Sequence, residues 1–135
     1  MNKVIFNDLV LLCGRILTGA LMLPHGLRKY NKVMEGDYSF ADPLHIGEKA
    51  SLICVAGTEF IGSILLIAGL FTRLSAGSLL FTMFVAGVIH HWSDPFGDKE
   101  LPLLYIVVYA FFVVWGGGKY SADYLVQMTR QRRNK

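Results

Sequence analysis

Two oppositely charged residues stand midway along separate apolar stretches: Arg15 within Val4–Leu23 and Glu59 within Ala50–Phe71. Arginine carries five donors in a fixed fork, while a carboxylate accepts hydrogen bonds and can exchange a proton. At a helical rise of about 1.5 Å per residue, both lie about 16 Å from the same membrane face. An unpaired charge at that depth costs about 3 kcal/mol on insertion scales. The spacing therefore predicts that Arg15 and Glu59 meet across two helices. Two roles stay open for the pair: a structural clamp, or part of a binding or proton-handling site.

Three further residues join the candidate ligand-binding set of Arg15, Glu59, His90, Tyr105 and His25. His90 ends the third apolar stretch, Tyr105 begins the fourth, and His25 follows the first. His90 and His91 are neighbours, so on a helix they point about 100° apart. A face through Met83, Gly87 and His90 turns His90 inward, the competing reading being an interfacial histidine bonded to loop or water. No catalytic residue is assigned and no metal site is predicted. His45-x-x-Glu48 reads as a solvated loop, and Gly116-Gly117-Gly118 lacks the GK[ST] continuation and preceding strand of a phosphate loop.

The elements that must position these groups are apolar helices. Of the 135 residues, 53% are hydrophobic and 17% charged, below the quarter or so of charged residues usual in soluble domains. The charges cluster between long uncharged runs. The expected fold class is all-α, a four-helix transmembrane bundle in a single integral membrane domain, with spans at about 4–23, 50–71, 74–92 and 101–117. The first helix is expected to stop at Pro24 and Gly26. A polar outer segment, 25–49, follows, in which Asp42-Pro43 reads as a helix start or turn. Thr72-Arg73 makes a tight turn, and 119–135 forms a basic tail.

An even number of spans puts both termini on one side. Lys3, Arg73, Lys119, Arg130, Arg132, Arg133 and Lys135 favour the cytoplasm for that side. Trp92 and Tyr105 on one face, with Trp115 and Tyr120 on the other, fit interfacial anchors. Asp8 is expected to pair with Lys3, Arg73 or Lys119. The net charge of +3 and the lack of a folded basic domain argue against nucleic-acid binding. The lipid bilayer is the expected partner, with the tail reaching anionic headgroups. Cys13 and Cys54 fall about 10 Å apart in depth, too far for a disulfide, and read as small buried side chains.

Arg15-x-x-x-Gly19 followed by Pro24-His25-Gly26-x-x-Lys29 resembles the first-helix signature of the DoxX family of small bacterial membrane proteins. Glu59-x-x-Gly62, Gly69-Leu70-x-Thr72-Arg73-x-x-Ala76, Glu100-x-x-x-x-Tyr105 and Gly116-x-Gly118-x-x-Ser121-x-Asp123 are similar to its later segments. The resemblance implies a multi-pass protein of the bacterial inner membrane, and it marks Arg15, His25, Lys29, Glu59 and Tyr105 as motif positions. Family names refer to quinone-linked oxidation of reduced sulfur compounds, and some relatives are associated with redox partner proteins. No redox cofactor motif accompanies these residues in this chain. Two function classes are therefore expected to compete. One is a redox-linked subunit binding quinone or a similar amphipathic molecule in the outer half of the bundle, with a partner delivering electrons. The other is a non-enzymatic protein that binds lipid or small molecules, or anchors an assembly.

Overall fold

The structure is a computed structural model and describes residues 3–133. Asn134 and Lys135, the end of the basic tail, lie outside the described residues. The order is α1 (Lys3–Met34), α2 (Glu48–Ala68), α3 (Thr72–Phe84), a π-helical turn (Val85–His90), α4 (Phe96–Trp115) and α5 (Ala122–Arg133). Three of these segments, Ile5–Met34, Glu48–Ala68 and Thr72–His90, are long and apolar enough to cross a membrane. α4 carries Asp98, Lys99 and Glu100 near its start and is apolar from Leu101 to Trp115.

α1 does not stop at Pro24. It continues through the proline to Met34, so the first ten residues expected in the polar outer segment are helical. Pro24 sits on the exposed side of the helix, away from the row that packs on α2, and costs the helix one backbone bond. On the opposite side Leu11, Arg15, Gly19, Met22 and Gly26 are buried in one continuous row, and packing along that row outweighs the proline. Gly19 lies against the Ser63 carbonyl and Ile67 of α2. Gly26 lies against the backbone of Glu59 and Phe60, where a Cβ would come within 2.6 Å of the Glu59 carbonyl carbon. Small residues thus let α1 and α2 touch almost backbone to backbone.

α2 ends at Gly69, whose left-handed conformation (φ 69°) caps the helix through its N–H to the Leu66 carbonyl. The core draws on α1 to α4: Leu11, Met22, Leu66, Leu79, Met83, Tyr105, Tyr109 and Phe112 pack together. The basic tail is helical, as α5, with no buried residue. Asp8 lies beside Lys119, accepting its backbone N–H at 3.1 Å and standing 4.0 Å from its ammonium. Cys13 and Cys54 are exposed and not the buried side chains expected, because neither falls on the core row of its helix; Cys54 instead borders a largely apolar cavity.

Candidate functional site

The buried row on α1 leads to Lys29, one turn beyond Gly26. Because Gly26 lets α1 lie flat on α2, the Lys29 ammonium reaches Glu59 and sits 2.6 and 2.5 Å from its two carboxylate oxygens. The Glu59 side chain is 2% exposed and that of Lys29 26%. Tyr30 stacks on Phe60 beside the pair, with ring centroids 5.2 Å apart. Glu59 is therefore a buried charge neutralised by a neighbouring helix, as its depth demands, but its partner is Lys29.

Arg15 lies elsewhere. Its guanidinium donates to the Tyr120 carbonyl at 2.8 Å and the Leu66 carbonyl at 3.4 Å, and its side chain is fully buried. The sequence placed Arg15 and Glu59 at one depth by starting both spans at the same face. In the structure the first turns of α1 project past the end of α2, where Gly118 lies against Leu11 and Asp8. Arg15 is thereby level with Gly69, about 15 Å along α2 from Glu59. The expected Arg15–Glu59 pair does not form. Arginine's several donors suit the role it does take, tying the last turn of α2 to the Tyr120 carbonyl just before α5.

Lys29 and Glu59 form a wall shared by two cavities. One, of about 240 Å³, is largely apolar: Phe40, Pro43, Leu44, Ile46, Cys54, Val55, Phe81 and Val85 line it, with His90, Thr58 and Thr82. The segment between α1 and α2 closes over it. Lys32 holds that segment through the Ser39 carbonyl at 2.5 Å, and Asp42 accepts bonds from Ile46 N–H, Gly47 N–H and the Ser51 hydroxyl at 2.7 to 2.9 Å. The other cavity, of about 430 Å³, is more polar, with His25, His91, Asp98 and Tyr105 around the ion pair.

Three of the other four expected residues, His25, Tyr105 and His90, therefore lie around Glu59, on two sides of it. Tyr105 is buried, stacks on Tyr109 at 5.4 Å and borders the polar cavity, so it packs inside the bundle and not as an interfacial anchor. His25 Nδ1 is 3.1 Å from the Arg28 guanidinium. His90 was expected on the Met83–Gly87 face. The π-helical turn widens the helix there: the His91 N–H bonds the Ala86 carbonyl five residues back. That extra residue per turn rotates His90 off the buried face, exposed but lining the apolar cavity, and brings His91 to the polar one. His91 bonds Asp94 at 2.6 Å. Lys29, which sequence reasoning quoted only as a motif position, is the residue it failed to pair. The signal was the row Arg15, Gly19, Met22, Gly26, Lys29, whose helical spacing runs unbroken through Pro24.

Chemically, a neutralised but buried ammonium–carboxylate pair offers both a strong donor and a strong acceptor at the edge of an apolar space. Among the described residues, no three metal-ligating side chains gather.

The family model described as DoxX matches residues 10–92. That stretch holds α1 from Val10 onward, the covering segment, Glu59 and the π-helical turn. An uncharacterized protein of Haemophilus influenzae is 32% identical, the match covering 81% of this chain and 84% of that protein. A second uncharacterized protein of the same organism is 36% identical over 53% of this chain and 50% of its own length. No solved structure matches.

Proposed function

The chain belongs to the DoxX family, and from that premise we propose that it binds quinone, or a similar amphipathic molecule, in the apolar cavity beside Lys29–Glu59. The single observation that carries this reading is the placement of one buried ion pair at the wall of a cavity otherwise lined mainly by apolar side chains. Ligand sites have that composition: mostly apolar, with a few polar groups that fix orientation. The volume of about 240 Å³ suits a ring headgroup, with an apolar tail leaving past Phe81 at the rim. Lys29 donates to a ring oxygen, Glu59 accepts from a hydroxyl, and His90 supplies a further polar contact. Tyr105 and His25 border Glu59 from the polar cavity.

The protein is read as a four-span bundle of the bacterial inner membrane. The apolar part of α4 packs along α3 and supplies the fourth span. Arg73, Lys119, Arg130, Arg132 and Arg133 fall at the end where α1 begins, which supports cytoplasmic termini by the excess of basic residues on that side. Redox turnover at the site would draw its electrons from a partner protein. A non-enzymatic lipid-binding or anchoring role uses the same cavity, and it is favoured by the ion pair already being satisfied within the protein.

The test is binding of a quinone analogue to the protein purified in mild detergent. A bond to a charged group contributes about 1.5–3 kcal/mol, so Glu59→Gln should weaken binding roughly tenfold or more, and His90→Ala should weaken it less. Unchanged binding in both variants would overturn the reading. Binding that never changes the redox state of the quinone, even with co-purified partners, would leave the non-enzymatic role.

A further inference from the structure

At the opposite end of the helices, where α3 begins and α4 ends, a cavity of about 590 Å³ lies between Asp8, Thr72, Arg73, Trp115, Lys119 and Tyr124. We propose that it holds the phosphate-bearing headgroup of an anionic phospholipid between Arg73 and Lys119. This site is independent of the quinone reading.

The charges make the case first. Two acids border the cavity, and both are engaged by the protein itself. The Asp123 carboxylate accepts the N–H groups of Phe71 and Thr72 at 2.7 and 2.8 Å, which holds Phe71 in its left-handed conformation (φ 48°). Asp8 accepts the backbone N–H of Lys119. The cations are less committed. Arg73 gives one of its five donors to the Val114 carbonyl at 3.1 Å, and the Lys119 ammonium lies at the limit of pairing with Asp8 on a half-exposed side chain. Phosphate oxygens fit donors of this kind.

The floor makes the case second. Gly116 and Gly118 adopt φ of 73° and 72°, a region closed to most side chains. A Cβ on Gly116 would stand 3.4 Å from Arg73 Nε, and one on Gly118 3.2 Å from the Asp8 carboxylate. The glycines therefore keep side chains off the floor between the two cations. On the wall, the buried Thr72 hydroxyl has no hydrogen-bond partner.

The surroundings identify a lipid. Phe71, Leu74 and Trp115 form an exposed apolar collar at the helix ends, where acyl chains would run. α5 begins beside the cavity, exposes Leu125 and Val126, and ends in Arg130, Arg132 and Arg133. Such a helix rests at headgroup level on an anionic surface. A free phosphate shares the headgroup chemistry but has no use for the collar.

Native mass spectrometry of the full chain, with phosphatidylglycerol or phosphatidylcholine added, tests the assignment. Phosphatidylglycerol should be retained at lower concentration, and Lys119→Gln and Arg73→Gln should each weaken it about fivefold while leaving phosphatidylcholine unchanged. Lys119 is exposed enough that its replacement leaves the fold intact, so the test survives should Arg73→Gln fail to fold. Equal retention of both lipids, or full phosphatidylglycerol binding in Lys119→Gln, overturns the proposal. Displacement by millimolar inorganic phosphate assigns the site to a free anion and overturns the lipid. Loss confined to Arg132→Gln/Arg133→Gln moves binding to the tail and also overturns it.

Discussion

Lys29 and Glu59, thirty residues apart in sequence, are joined through both carboxylate oxygens across α1 and α2. The two partners are unequal: Glu59 is buried, whereas a quarter of the Lys29 side chain reaches the surface. Removing one member of a fully buried pair costs about 3–5 kcal/mol, and partial exposure of Lys29 softens this. Lys29→Met should therefore destabilise the protein by about 3 kcal/mol, since it strands the carboxylate. Glu59→Gln should cost less, because the amide still accepts a bond from Lys29. Thermal unfolding in detergent, with Lys29→Met/Glu59→Leu closing the cycle, measures this. A double variant as unstable as the sum of the singles would show that the pair is not coupled.

Arg15 ties three segments together by donating to carbonyls at the end of α2 and just before α5. The Asp123 N–H returns a bond to the Gly69 carbonyl at 2.9 Å. Arg15→Met takes the 2.8 Å bond from the Tyr120 carbonyl, while the Leu66 carbonyl keeps the Gly69 N–H, and most of the apolar stem stays. It should loosen the α4–α5 link and speed tryptic cleavage after Lys119, with little effect on the Lys29–Glu59 cavity. Unchanged cleavage would show that the segment is held by other contacts.

Gly26 and Gly57 provide a matched pair. A Cβ at Gly26 would collide with the α2 backbone, whereas nothing lies within 4 Å of one at Gly57. Overpacking of this kind typically costs about 1–3 kcal/mol, and backbone atoms cannot rotate away. Gly26→Ala should fall at the upper end of that range and draw Lys29 off Glu59, weakening ligand binding as well. Gly57→Ala should be neutral or slightly stabilising, through helix propensity. Equal melting temperatures for the two variants would remove the close α1–α2 approach.

The helical class and a short break between α2 and α3 were legible because both follow from local periodicity, although the break falls at residues 69–71 and the expected turn residues Thr72 and Arg73 already belong to α3. The partner of Glu59 was not. Pro24 signals a helix end by its own chemistry, and only packing along Arg15, Gly19, Met22 and Gly26 against α2 reverses that signal. Once α1 was cut short, Lys29 fell in a loop and Arg15 was left as the one cation within reach. The register of α1 on α2 is likewise set by where Gly26 meets Phe60, a contact between distant residues. The rotation of His90 comes from a π-helical turn, which has no simple signature in residue type. α5 reads as a polar tail because its helix packs on nothing that the sequence alone would reveal.

Asp42 organises the segment that covers the apolar cavity. Desolvation opposes its ionised form, but the Ser51 hydroxyl and the Gly47 and Ile46 N–H groups together hold its carboxyl below the ordinary carboxylate range. A depressed folded value means the stabilisation is complete above the unfolded value of about 3.9 and is lost as pH falls through the folded one. The covering segment should stay closed at neutral pH and loosen only below about pH 4. A carboxyl carbon NMR titration should find Asp42 below the usual value, and Ser51→Ala should move it up. A titration at the ordinary value would mean that the turn does not depend on the ionised carboxylate.

The two cysteines make the cavity testable without any engineered probe. Cys54 lines the apolar cavity together with Glu59 and His90, while Cys13 is exposed on α1 away from it. A small membrane-permeant maleimide should reach both thiols in the empty protein. Adding a quinone analogue should slow modification of Cys54, by more than about tenfold at saturation if the ligand fills the space, because a bound molecule removes the path to the sulfur. Cys13 should react at its original rate and thus report any general effect of the ligand on the detergent or the reagent. In Glu59→Gln, protection of Cys54 should need a higher ligand concentration in proportion to the lost affinity. Protection of both cysteines alike, or of neither, would place the ligand somewhere other than beside the Lys29–Glu59 pair.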